Sequence, residues 1–163
     1  MMQRGALQVT LPSDREIAMR RVFDAPRQMV FDAYTKPELL KQWAGGPPGW
    51  NLVVCEVDLR VGGAWRWVIE GPDGQKMGLG GEYLDVVAPE RLVSTEAYDE
   101  PWYEGAATSM LVLTERDRRT TLTLTVRYAS REVRDGVLKT PMAEGLGAGL
   151  DRMAELLASQ QAG

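Results

Sequence analysis

The sequence predicts an α+β fold in which an antiparallel sheet is layered against an amphipathic C-terminal helix. Two observations carry that expectation: from residue 52 to about residue 128 the apolar residues keep a period of two, and from Ser130 onward the period becomes helical. A third observation excludes the main alternative. Strands do not alternate with helices along the chain, which argues against a Rossmann or barrel enzyme.

Residues 1–13 read as a flexible tail and 14–160 as one domain, with no repeat, low-complexity tract or long linker between them. The first strand runs from Arg15 to Phe23, where Ile17, Met19 and Phe23 alternate with Ala18, Arg20 and Val22, and Arg21 falls on the otherwise apolar face. Asp24-Ala25-Pro26 opens a short helix with the stripe Met29, Val30, Ala33 and Tyr34. Thr35-Lys36-Pro37-Glu38 has capping-box spacing and starts a second helix carrying Leu39, Leu40 and Trp43, ended by Gly45-Gly46-Pro47-Pro48-Gly49.

In the sheet region Val53, Cys55, Val57 and Leu59 alternate with Val54, Glu56, Asp58 and Arg60, then after Gly62-Gly63 Trp65, Trp67 and Ile69 alternate with Arg66, Val68 and Glu70. Pro72-Asp73-Gly74 supplies a turn, and Gly78, Gly80 and Gly81 within the strand Lys76 to Val87 suggest a bulge or sharp bend. Arg91 to Tyr98 and Thr108 to Thr114 are two more strands around a polar loop with Trp102 and Tyr103; both faces carry apolar residues, so register is open there. Leu122, Leu124, Val126 and Tyr128 form the inner face of the last strand.

Ser130 is the N-cap of the first C-terminal helical segment, and Pro141 divides it from a second capped by Thr140. On a helical wheel Met142, Leu146, Leu150, Met153, Leu156 and Leu157 share one face, opposite Glu144, Asp151 and Glu155. Gly145 and Gly149 interrupt that apolar stripe, and each costs about 1 kcal/mol relative to Ala. Either the helix backbone approaches a neighbour closely, or the missing side chains leave room for a ligand.

Composition restricts the chemistry. The 163 residues include one Cys and no His, so there is no internal disulfide, no Ser-His-Asp or Cys-His pair, and no His-ligated metal. No cofactor and no metal are expected. With 19 Lys+Arg against 23 Asp+Glu, the net charge of −4 and pI of about 5.0 disfavour nucleic acid and anionic membranes. No secretory signal or apolar run of membrane-spanning length is present, giving a cytoplasmic expectation without membrane insertion. Gly78-Leu79-Gly80-Gly81 lacks the spacing of a phosphate loop.

An apolar pocket is suggested by Met19, Met110, Met142 and Met153 together with Trp65 and Trp67. Arg21, Tyr128, Glu82, Glu96 and Tyr98 are the polar residues on inward faces. A carboxylate partner is expected for a buried Arg21, and Cys55 reads as a small buried hydrophobe. No spacing identifies a catalytic pair.

Several segments in order resemble the SRPBCC superfamily, among them Arg21-Val22-Phe23-Asp24-Ala25-Pro26, Asp58-Leu59-Arg60-Val61-Gly62-Gly63, Gly81-Glu82-Tyr83, Pro89-Glu90-Arg91-Leu92 and Leu150-Asp151-Arg152-Met153. Within it the chain is most similar to bacterial proteins named after the C-terminal domain of the activator of the heat-shock protein 90 ATPase. The resemblance implies a helix-grip fold similar to START domains and the birch-pollen allergen: a curved antiparallel sheet of about seven strands wrapped around a long C-terminal helix, with an apolar cavity between. The sequence departs from the pattern at Trp43-Ala44-Gly45-Gly46-Pro47 and at Pro141.

The leading functional expectation is binding of a small hydrophobic or amphipathic molecule in that cavity, lined by Trp65, Trp67, Met110, Met142, Leu146, Gly149 and Met153. Arg21, Glu96, Tyr98 and Tyr128 are the polar residues of the expected site. The alternatives are a cofactor-free enzyme of aromatase/cyclase-like or hydrolytic type, and a protein-interaction module with an apolar patch around Trp50, Trp102 and Tyr103. A homodimer contact is left open.

Overall fold

A computed structural model describes residues 7–162. In chain order the elements are β1 (Gln8–Thr10), β2 (Glu16–Phe23), α1 (Arg27–Thr35), α2 (Pro37–Trp43), β3 (Asn51–Val57), β4 (Ala64–Glu70), β5 (Lys76–Val87), β6 (Arg91–Tyr98), β7 (Ala107–Arg116), β8 (Arg119–Arg127), α3 (Arg131–Leu138) and α4 (Met142–Ala162). The strands form one unclosed antiparallel sheet in the order β1-β2-β8-β7-β6-β5-β4-β3. This bears out the α+β expectation, with eight strands where about seven were expected. The extra strand lies in the segment read as a tail, where Gln8–Thr10 pairs with β2. Leu7 also packs against the core. Residues 1–6 of that tail lie outside the described residues.

Directly opposed residues in antiparallel strands share a face, so the ladders assign every inner position. Met19 opposes Leu124, Leu124 opposes Leu111, and Leu111 opposes Leu92; all four are buried. The row resolves the ambiguous register of β6 and β7. Leu92, Ser94, Glu96 and Tyr98 face inward on β6, as do Ala107, Ser109, Leu111 and Leu113 on β7. Met110, expected as a cavity wall, consequently points outward and is 39% exposed. Apolar residues on both faces of β7 left its period uninformative, and the pairing of Leu111 with Leu92 decided it. Glu82 is also exposed, because Tyr83 next to it takes the inner face.

Local signals were realised unevenly. Ser130 caps α3, its Oγ accepting from the Val133 N–H at 3.2 Å. The capping box did not form: the Thr35 hydroxyl donates back to the Phe31 carbonyl at 2.8 Å as the last residue of α1, and α2 starts at Pro37 without a side-chain cap. Thr140 likewise donates to the Val137 carbonyl at 2.6 Å, satisfying the end of α3.

The helical layer is organised around the buried Trp43. Its indole N–H donates to the Ala33 carbonyl of α1 at 2.7 Å, and its ring lies 5.2 Å from that of Tyr34. Its carbonyl accepts from Arg152 Nε of α4 at 3.0 Å, while Arg152 Nη2 donates to the Gly46 carbonyl at 2.7 Å. Gly149 sits against the same residue. A Cβ there would stand 3.2 Å from the Trp43 oxygen and 3.5 Å from Cε3 of its ring. Close backbone approach therefore accounts for Gly149, and the approach is to α2.

Two buried arginines fasten the periphery. Arg21 Nη1 meets Asp151 of α4 at 2.6 Å, as a buried guanidinium requires. Arg134 Nη1 donates to the Ser13 carbonyl at 2.7 Å, tying α3 to the chain ahead of β2.

Replacing Arg152 by Ala removes two charge-assisted bonds, each worth about 1.5–3 kcal/mol to stability at full strength. Because Arg152 is only partly buried, a net loss of roughly 2 kcal/mol is expected from urea unfolding. Arg152→Lys should recover less than half, since an ammonium cannot reproduce the fork.

Candidate functional site: a buried carboxyl among phenols

Glu96 projects from the middle of the sheet's inner face, directly opposite Ala107 on β7. On its other side the β5–β6 ladder is interrupted, passing from the Gly80–Ala97 pair to the Tyr83–Ser94 pair. Gly81 lies in that gap. Its cross-strand partner on β4 is Trp65, whose indole N–H reaches over β5 to donate to the Thr95 carbonyl of β6 at 3.1 Å. The Glu82 N–H is met by Thr95 Oγ1 at 3.0 Å. A side chain at residue 81 would collide with the Thr95 carbonyl that Trp65 uses. Glycine is thus required for close approach, and it leaves the strand beside Glu96 bare. Trp67, next on the same face, meets Trp65 edge-on at 5.7 Å.

The segment after β6 folds back over this region. Tyr103 donates its hydroxyl proton to Glu96 Oε2 at 3.1 Å. The Tyr103 ring packs edge-on against Tyr98 at 5.8 Å, Trp102 at 4.8 Å and Tyr128 at 5.4 Å. Trp102 also meets Tyr98, at 5.6 Å, and is the outermost of the group at 39% exposed. Trp102 and Tyr103 therefore belong to the covering of Glu96, while Trp50 takes no part in these ring contacts.

Burial is the main force on the titrating groups here. It pushes the Glu96 carboxyl above the usual carboxylate range, against a smaller downward pull from the Tyr103 hydrogen bond. Burial and then the Glu96 charge raise the phenols of Tyr34, Tyr98 and Tyr128; Tyr103 is raised by the same two causes and by its own bond to Glu96. Tyr34 stands on α1, where its ring packs against Trp43. Tyr83 is raised by burial as well, and burial pushes the Cys55 thiol up to about 11, an inert state for a thiol. Among the described residues no Lys or Arg forms an ion pair with Glu96, and no three His, Cys, Asp or Glu side chains are grouped to hold a metal.

The structure gathers Glu96, Tyr98 and Tyr128, with Trp65 and Trp67 on the same face of the sheet. Met142 and Leu146 lie half-buried on the first turns of α4, whereas Met153 is sealed and Gly149 is covered by Trp43. Arg21 is elsewhere. Its cross-strand neighbour Leu122 opposes Leu113, beyond the start of β6, so it sits at the opposite end of the sheet from Glu96. Sequence reasoning missed Tyr34 and Tyr103 as members of the group. Tyr34 was one residue of a helical stripe and Tyr103 one residue of a polar loop; only long-range folding brings them together.

A family model for Activator of Hsp90 ATPase homolog 1-like protein matches residues 24–158. A protein from Rhodobacter sphaeroides of known structure is 31% identical with a TM-score of 0.89, the match covering 94% of this chain and 98% of that one. One from Mycobacterium smegmatis is 28% identical with a TM-score of 0.81, covering 93% and 97%. A third, from Silicibacter pomeroyi and named for the same family, is 21% identical with a TM-score of 0.72 over 89% and 99%, which shows likeness of fold. No curated protein matches the chain. Among the described residues no helix is long and apolar enough to cross a membrane.

Two outcomes follow from this geometry. Gly81→Ala should destabilise the fold by about 1–3 kcal/mol, the usual cost of overpacking, and shift Trp65 fluorescence as its bond to Thr95 is lost. The folded state holds the Glu96 proton more tightly than the unfolded chain does, so its contribution is fully present below the unfolded-state pKa. That contribution is lost as pH rises through the folded-state pKa. The melting temperature of Glu96→Gln should therefore gain on that of the native protein as pH rises from 4 to 8; a constant difference would contradict the assignment.

Proposed function

Because the chain belongs to the family of Activator of Hsp90 ATPase homolog 1-like proteins, whose fold commonly binds hydrophobic ligands, we propose that it takes up a small apolar or amphipathic molecule between its sheet and α4. The observation that carries this reading is the Glu96 carboxyl, half-buried beside aromatic rings with one hydroxyl donor. A burial this costly to a charged group needs a compensating partner, and a polar end of a ligand supplies one. Trp65, Trp67, Met142, Leu146 and Met153 are the apolar walls of this reading. Coverage grades along α4, from the half-buried Met142 and Leu146 to the fully buried Leu150 and Met153. Access is accordingly assigned to the first turns of the helix. Tyr98, Tyr103 and Tyr128 orient the polar end, and Arg21 serves the fold through Asp151.

A second reading rests on the same carboxyl. Burial favours its protonated form at higher pH than usual, and Tyr103 is hydrogen-bonded to it, an arrangement suited to passing a proton to a bound molecule. A cofactor-free cyclase-like or hydrolytic reaction would use that pair.

Native mass spectrometry of protein purified from its own host, before and after organic extraction, tests the binding reading. A stoichiometric mass lost on extraction is the expected result. A bare mass in both samples, together with no uptake of apolar probes, would overturn it.

A further inference from the structure

The surroundings of Glu96 also bear on the charge of its ligand. On the inner face its two cross-strand neighbours are Ala107, its direct partner, and Gly81, the position opposite it in the interrupted β5–β6 ladder. Neither carries a side chain beyond Cβ; the Ala107 flank is bare, and the Trp65 indole crosses the Gly81 flank on its way to the Thr95 carbonyl. Beside it stands the ring of Tyr103, packed against those of Tyr98 and Tyr128. Among the described residues Tyr103 alone hydrogen-bonds to the carboxyl, through Oε2.

We infer that the polar end received beside Glu96 is an ammonium group, and that the ligand is an amphipathic organic amine. This rests on the binding reading above and narrows it to a chemical class. A carboxyl partly withdrawn from water without a cation is costly to ionise, whereas an entering ammonium supplies an ion pair and hydrogen bonds to its oxygens. Electron-rich rings around the same point attract a cation through their quadrupoles, and the attraction is strongest where water is excluded. A fatty carboxylate meets the opposite conditions. Beside it ionisation of Glu96 would cost still more, and Arg21, on the inner face of the sheet, is already held by Asp151 at 2.6 Å among the buried Ile17, Met19 and Phe23.

The test compares dodecylamine, 1-dodecanol and dodecanoate, matched in chain length, by tryptophan fluorescence titration of the full chain at neutral pH and below micellar concentrations. Dodecylamine should bind at least about tenfold more tightly than dodecanoate, the scale of one desolvated cation–aromatic contact. Glu96→Gln, checked for folding by its thermal transition, should lose that preference and still bind dodecanol. In the native protein the preference should persist in 0.5 M salt, because a buried pair is weakly screened. Equal or tighter binding of dodecanoate, a preference retained by Glu96→Gln, or one abolished by salt overturns the inference while leaving the binding reading intact. Failure of all three probes to bind overturns both.

Discussion

The arrangement of the molecule depends on the contact between Trp43 and Arg152. One residue of α2 donates its indole proton to α1 and accepts at its carbonyl from α4, and the arginine that donates to that carbonyl also donates to the glycine-rich turn leading into β3. Three helices with little else in common are thereby fixed at one point. The depth of the crossing follows from Gly149, since only a helix without a side chain there can bring its backbone so close to Trp43. The position of α4 against α2 is thus set by hydrogen bonds, and apolar packing fills in around them.

A second tryptophan shapes the opposite wall. Trp65 takes a carbonyl two strands away, which is possible because β5 is bare at Gly81 and its ladder to β6 is broken there. The cost of the lost ladder bonds is offset by the indole and by the Thr95 hydroxyl. Glu96 stands beside this crossing and, among the described residues, is the carboxylate on the inner face of the sheet. Sheet irregularities of this kind are common where a side chain must be re-aimed.

Most of the architecture was legible in the sequence because it is written in period. Alternation over β2, β4 and β8 and the helical stripe of α4 each reported a buried face correctly, and the glycines of β5 marked the irregular strand. Legibility failed where period carries no information. Met110 was placed inside because β7 is apolar on both faces, and its orientation depends on Leu111 meeting Leu92 across the sheet. Thr35 had the spacing of a cap but stood at the end of one helix instead of the start of the next. The site was half visible: Glu96, Tyr98 and Tyr128 lie on strands whose inner faces can be inferred, whereas Tyr34 and Tyr103 arrive from a helix and a loop whose positions no local pattern encodes.

The pairing of Arg21 with Asp151 joins residues 130 positions apart. A chain synthesised from its N-terminus completes all eight strands before α4 has left the ribosome. Until α4 emerges, the inner face that buries Met19, Leu111 and Leu124 is covered in part by α1, which packs on β7 and β8, and α4 completes a surface that was already assembled. The order of synthesis therefore makes α4 the last element to dock, and its arrival converts an open apolar sheet into an enclosed one.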